Sequence, residues 1–302
     1  MPEAEIPEEM DEFVQPESAP PTVDSPEVPV DHDATKTVSS VLETFTSTKK
    51  DAFAELMSHK QPSKKLMKPP RSLAEKAGKV IGGVWRGALG PFIEHPEKYP
   101  DQVLRVTEHT VLIKDRYPKA TIHLLLLPRS KEHNLLHPHT AMADPAFLKI
   151  MRAEAETAAQ LAAAELQRLL GRFSEKNRSR NEAIDACVPF DELPPGRDYR
   201  KDIRVGTHAH PSMAHVHVHI ISRDMRSESL KRVKHYNSFN TPFFIPLEDY
   251  PLGEEDERWS TSYQNNNLTG DMVCWRCKKN FGHKFAELKR HLEEEFEAWK
   301  RE

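Results

Sequence analysis

The stretch His215-Val216-His217-Val218-His219-Ile220-Ile221 leaves few choices of local structure. Imidazoles alternate with β-branched residues, and successive side chains of a strand point to opposite faces. A strand here buries Val216, Val218 and Ile220 and sets three imidazoles along one edge. Alternate residues stand about 6.6 Å apart, at roughly 3.3 Å per residue. Neighbouring rings at that spacing reach one tetrahedral phosphorus and its oxygens, and the middle one, His217, reads as a nucleophile.

Three chemistries use such a strand. Neutral imidazole, with an ordinary pKa of about 6.5, is a nucleophile near pH 7 and forms phosphoramidates. The same rings bind metals, or they are merely structural. The surroundings decide. No acidic residue lies within six residues upstream of His215 to complete a metal set. That upstream run is Gly206-Thr207-His208-Ala209-His210-Pro211-Ser212-Met213, a turn offering a further histidine and a hydroxyl. Lys119 and His123 lie beside or within a β-prone apolar run, Thr121–Leu127. One lysine, one hydroxyl and several imidazoles around a point make an anion cradle.

Charge is distributed unevenly. Residues 1–33 hold eleven acids and no Lys or Arg, which leaves 43 basic against 36 acidic residues elsewhere. Ten Lys and Arg face three acids between Lys49 and Arg86. A basic body with an acidic tail is compatible with a nucleic-acid partner, and equally with an ordinary solvated surface. The acidic, proline-rich start is unlike a secretory or transit signal, and no apolar run reaches the roughly 20 residues of a membrane span. Three cysteines make no disulfide framework and fit a reducing compartment.

The chain divides accordingly. Residues 1–48 form an acidic, Pro-rich tail expected to be disordered and available to protein partners. Residues 49–71 form a basic linker with a short helix, whose Lys64, Lys65 and Lys68 could contribute to nuclear import. Residues 72–246 form the folded α+β body, an antiparallel sheet with helices, in which Trp85 is conspicuous. Within it, Val103–Val106 and Thr110–Lys114 read as short strands and Pro145–Leu170 as a long Ala- and Leu-rich helix. Residues 172–200 read as an exposed insertion, and 247–269 as a linker.

Residues 270–302 form a separate small module. Cys274-Trp275-Arg276-Cys277 precedes His291 by thirteen residues, with Glu295 four further on. This is zinc-finger spacing, with a carboxylate where a second histidine usually stands. Phe285, Leu288, Leu292, Phe296 and Trp299 make an amphipathic helix that puts His291 and Glu295 on one face. His283 is the rival fourth ligand, and a redox C-x-x-C lacks its usual fold. So short a module cannot build an adequate core alone, so the zinc is structural and supplies folding energy.

His-Val-His-Val-His-Ile-Ile resembles the signature of the histidine-triad superfamily. Four stretches narrow the resemblance to its aprataxin-like branch: Tyr117-Pro118-Lys119-Ala120-Thr121-Ile122-His123, the Gly206–Met213 turn, the triad, and Lys234-His235-Tyr236-Asn237-Ser238-Phe239-Asn240. The match runs from about Asp51 to the C-terminus and departs at the Ala-rich helix, the insertion and His210. It implies a nuclear DNA-repair hydrolase, with a C-terminal zinc finger, that removes adenylate from 5′ ends of nicked or double-stranded DNA left by failed ligation. His217 would attack the adenylate phosphorus and His215 and His219 would stabilise its oxygens. His123, Lys119, His208 and Ser212 would assist the leaving group. AMP is the product, and no catalytic metal or membrane is involved. Trp85 would wedge against the terminal base pair, although a core tryptophan reads similarly. Lys234 and His235 would approach DNA, and Arg276, Lys278 and Lys279 of the finger are expected to contact phosphates. A general dinucleotide or nucleoside phosphoramidate hydrolase would need the triad alone, and a zinc-finger DNA-binding adaptor only the finger.

Overall fold

The computed structural model describes residues 84–302, with side chains from Arg86 onward. The tail (1–48), the basic segment (49–71) and the start of the body up to residue 83 lie outside the described residues. Six strands form one sheet: β1 (Val103–Val106), β2 (Thr110–Lys114), β3 (His123–Pro128), β4 (Ile203–His208), β5 (Val218–Ser222) and β6 (Phe244–Pro246). Their order is β1-β2-β3-β5-β4-β6, and every neighbouring pair is antiparallel. The helices are α1 (Gly90–Glu94), α2 (Pro138–Ala141), α3 (Pro145–Leu170), α4 (Arg178–Asp185), α5 (Val233–Asn240), α6 (Thr261–Thr269) and α7 (Phe285–Trp299).

The long helix starts where the sequence says it must. The Asp144 carboxylate accepts from the amides of Ala146 and Phe147, and Pro145 fills the first helical position. Its alanines 155, 158, 159 and 162 are buried and let α3 lie close against one face of the sheet, over Leu124, Leu126, Val218 and Ile220. Strand alternation sends His123, Leu125 and Leu127 to the other face. There Leu125 and Leu127 pack on Leu89 and Ile93 at α1. The sheet thus has one apolar face for α3 and one that shares its space with imidazoles.

Two strand boundaries differ from the sequence pattern. β3 begins at His123 because the amide and hydroxyl of Thr121 both donate to buried Asp224. β5 begins at Val218, not His215, because the Val216 amide donates to the Asn134 carbonyl and the Ala214 amide to that of Arg86. His215 and His217 therefore occupy an extended lead-in held by loops. Gly206, opposite His219 in register, has no room for a side chain: a Cβ would sit 2.3 Å from the Ile245 carbonyl of β6.

The C-terminal module is not separate. Phe296 and Trp299 of α7 belong to the same buried cluster as α3 and the sheet, while Met272, Cys274, Leu288 and Leu292 join Ile221, Tyr236 and Phe239 in a second. Burying one such side chain stabilises by about 1.5–3 kcal/mol, a contribution that an independent appendage would forgo. Residues 247–269 are likewise more than a linker. Ser260 caps α6, and Gln264 within it is fully buried. Residues 172–200, read as exposed, bury Ser174, Asn177, Arg197 and Tyr199. Asn177 explains part of this: its amide donates to the Gly171 carbonyl and its oxygen accepts the Arg197 amide, closing the loop on itself.

Candidate active site

The lead-in and three strands bring the histidines together. His123, His217 and His219 are each 5% exposed, so their protonation is set by the protein and not by bulk water. The Nδ1–H of His217 donates to the His215 carbonyl at 2.8 Å. That bond fixes the tautomer and leaves Nε2 as the free lone pair. A second chain of bonds fixes the neighbouring rings. The Lys119 amide donates to His123 Nδ1 at 3.2 Å, so His123 carries its proton on Nε2. His123 Nε2 lies 3.0 Å from His219 Nδ1 and donates to it. His219 consequently carries its proton on Nε2, which is buried and has no partner. The site thus offers a nucleophilic nitrogen on His217 and an unspent donor on His219, with ring centres 4.9 Å apart.

The remaining predicted groups surround this pair. His208 ends β4 with its ring centre 4.3 Å from that of His219. His215 is partly buried, with Cε1 and Nε2 packed over Gly90 at the start of α1, where a Cβ would approach to 3.1 Å. Gly90 was not legible as a site residue: only the fold brings it under that ring. Ser212 is exposed on the turn between β4 and β5. Lys119 donates through Nζ to the Tyr117 carbonyl. Its charge acts on His123, His208, His219 and His235. Asp115, also missed, has a carboxylate oxygen 3.5 Å from His123 Nδ1 and stands ready to pair with it on protonation. Asp115, His123 and His219 each bring a donor atom within 4.8 Å of the others. The two imidazoles there already bond each other.

Burial is the largest influence on these rings. It lowers the pKa of His217, with the His215 carbonyl opposing, and lowers His208 and His219 well below the usual value, reinforced by neighbouring imidazoles. It brings His123 to about 4, against Asp115. The unfolded imidazole binds its proton near pH 6.5, but folded His123 resists until about pH 4. Stability from this site is therefore complete above pH 6.5 and lost as pH falls from 6.5 towards 4. One such group is worth about 3 kcal/mol. Urea unfolding should show a lower midpoint at pH 5 than at pH 7; an unchanged or higher midpoint would contradict the burial of neutral rings.

A cationic surface adjoins the site. Lys234 and His235 lie in the first turn of α5 and are partly buried. Lys231 and Arg232, just before α5, are exposed; burial lowers the pKa of Lys119, with Asp115 opposing and the nearby Lys231 charge reinforcing it. Sequence reasoning passed over both because they precede the motif it recognised. The side chain of Trp85 lies outside the described residues; its backbone belongs to the single turn Val84–Gly87.

At the C-terminal end, Cys274, Cys277, His291 and Glu295 each place a ligand atom within 4.8 Å of the others. Cys277 Sγ is 3.0 Å from His291 Nε2, which is 3.2 Å from Glu295 Oε1. Two thiolates, an imidazole and a carboxylate are a fitting zinc donor set. His283 is exposed and outside this group. Arg276 Nη1 donates to Glu295 Oε2 at 2.6 Å and its Nε and Nη2 to Glu302, so these carboxylates compete with phosphate for the guanidinium. Lys278 and Lys279 remain exposed on the knuckle.

Comparison with known proteins fits this geometry. A family model described as HIT domain matches residues 97–226, and one described as C2HE / C2H2 / C2HC zinc-binding finger matches 240–298. An aprataxin-like protein of Saccharomyces cerevisiae is 35% identical over 221 residues, 71% of this chain and 97% of that protein. One from Schizosaccharomyces pombe is 33% identical over 71% of this chain and 83% of its own length. A crystal structure of the aprataxin ortholog Hnt3 in complex with DNA superposes with a TM-score of 0.56 at 30% identity, covering 71% of this chain and 96% of the other.

Proposed function

The chain belongs to the aprataxin-like family of HIT-domain proteins, and on that premise we propose that it hydrolyses adenylate from the 5′ ends of broken DNA in the nucleus. The observation that carries the reading is the pair of fixed tautomers, which sets a lone pair on His217 Nε2 beside an unspent N–H on His219 Nε2. Nucleophilic catalysis at phosphorus needs those two functions side by side.

In the first step His217 Nε2 attacks the adenylate phosphorus. A P–N bond forms as the bond to the bridging oxygen breaks, and the DNA 5′-phosphate departs with the electron pair. His219, His208 and His215 face the non-bridging oxygens, and the Lys119 charge favours the departing phosphate. Water then adds to phosphorus, the P–N bond breaks, and AMP and a proton are released. No step is assigned to a metal. Zinc would be held by Cys274, Cys277, His291 and Glu295 and would supply cross-linking of the finger. Lys231, Arg232, Lys234 and His235, together with Lys278 and Lys279, are assigned to DNA phosphates, and Trp85 to the terminal base pair. Binding of that kind weakens steeply with salt.

Incubation with nicked duplex DNA carrying a 5′-adenylate tests the reading. Release of AMP and recovery of a ligatable 5′-phosphate are expected. A preference for free diadenosine polyphosphate would replace it with a small-nucleotide hydrolase, and binding without turnover with an adaptor.

A further inference from the structure

Residues 171–202 separate α3 from β4 and look, in sequence, like a surface excursion. Their contacts converge on the far end of the finger helix. Arg197 is the centre. Its side chain is 5% exposed, and its Nε and Nη2 donate to Asp202 Oδ2 at 3.1 and 2.9 Å. Its Nη1 donates to the Trp299 carbonyl at 2.7 Å. The other Asp202 oxygen accepts the Trp299 indole N–H at 3.1 Å. The guanidinium also lies 4.9 Å from the ring centres of both Tyr199 and Trp299. Beside it the Glu175 amide donates to the Arg301 carbonyl at 2.8 Å, and Lys300 Nζ sits over the Phe173 ring.

This arrangement ties two distant parts of the site. Trp299 is one turn beyond Glu295 on α7, and Asp202 immediately precedes β4, which ends at His208. The knuckle end of the finger has its own fastening: Tyr236 donates its hydroxyl proton to the Val273 carbonyl and accepts the Trp275 amide, both at 2.9 Å. These two fastenings add direction to the apolar packing of Phe296, Trp299, Leu288 and Leu292, which holds the finger against the body without fixing its angle as hydrogen bonds do. We infer that the 171–202 segment is a brace that sets the finger against the catalytic sheet for DNA, and that Arg197 is its positioning residue. The inference rests on the DNA-end reading above.

The full-length, zinc-loaded protein and its Arg197→Ala variant decide it. KM for 5′-adenylated nicked DNA should rise about tenfold while kcat stays within about twofold. Affinity for the same nicked DNA without adenylate should fall by a like factor. Amides at the end of α7, from Phe296 to Lys300, should exchange faster, with zinc content unchanged. An unaltered KM, or a fall confined to kcat, would overturn the brace. Should that variant not fold, Asp202→Asn keeps the shape and the Trp299 acceptor but removes the charge partner of Arg197. It should show the same split at reduced size, and equal loss in kcat and DNA affinity would again overturn the proposal. If wild-type protein releases no AMP from DNA, the parent reading fails by itself, whereas affinity for unadenylated DNA and amide exchange still test the brace.

Discussion

On the proposed function, replacing His217 with alanine should lower kcat for AMP release from 5′-adenylated DNA at least about a thousandfold, as loss of a covalent nucleophile would. His219 and His123 cannot substitute. His219 carries an N–H, not a lone pair, at its unpartnered Nε2, because its Nδ1 is committed to His123. His123 has both nitrogens engaged, by the Lys119 amide and by His219. His217 is small in surface and does not belong to the cationic face, so affinity for nicked DNA should stay within about twofold, since phosphate contacts dominate it. Wild-type enzyme quenched during turnover on DNA with labelled adenylate should carry label on the protein, and the variant none. Normal turnover in the variant would sink the assignment, as would label recovered on another residue.

The histidine cluster, the long helix and the finger donor set are legible because their signals are local. Alternation gave the histidine face, and strong propensity gave β1, β2 and α3 with the bounds observed. The C-x-x-C spacing and the i, i+4 relation of His291 and Glu295 gave the finger ligands. Other features depend on contacts between remote residues. Arg197 and the Trp299 carbonyl are 102 positions apart, so no local pattern separates Arg197 from the solvated arginines around it. Arg276 reads as a DNA contact by its charge, and only α7 turning back over the knuckle shows its pairing with Glu295 and Glu302. The histidine strand failed at its start for the same reason: Asn134 and Arg86 provide the bonds that a neighbouring strand would otherwise supply. Gly90 and Asp115 gain their places only when α1 and the turn after β2 close over the rings.

Removing zinc should unfold the finger and with it DNA affinity, and leave a weakened catalytic body. Structural zinc binding in small fingers contributes roughly 10–16 kcal/mol at pH 7, because the unfolded chain has no preformed site. Here α7, fifteen residues long, carries two of the four ligands and also Phe296 and Trp299 of the main core. Its loss therefore does not stop at the module. A strong chelator should reduce helical circular dichroism and lower the thermal midpoint of the whole protein, more than for a finger hung on a linker. Thiol counting gives an independent reading. Exposed Cys187 should react alone with a thiol reagent in zinc-loaded protein, and Cys274 and Cys277 should become reactive as well after chelation. Glu295→Ala should shed zinc faster under the same chelator, by at least about tenfold, whereas His283→Ala should match wild type. Equal zinc retention in both variants would mean that the carboxylate only pairs with Arg276. A fully retained thermal midpoint after complete zinc loss would mean that burial of Phe296 and Trp299 holds α7 without the metal.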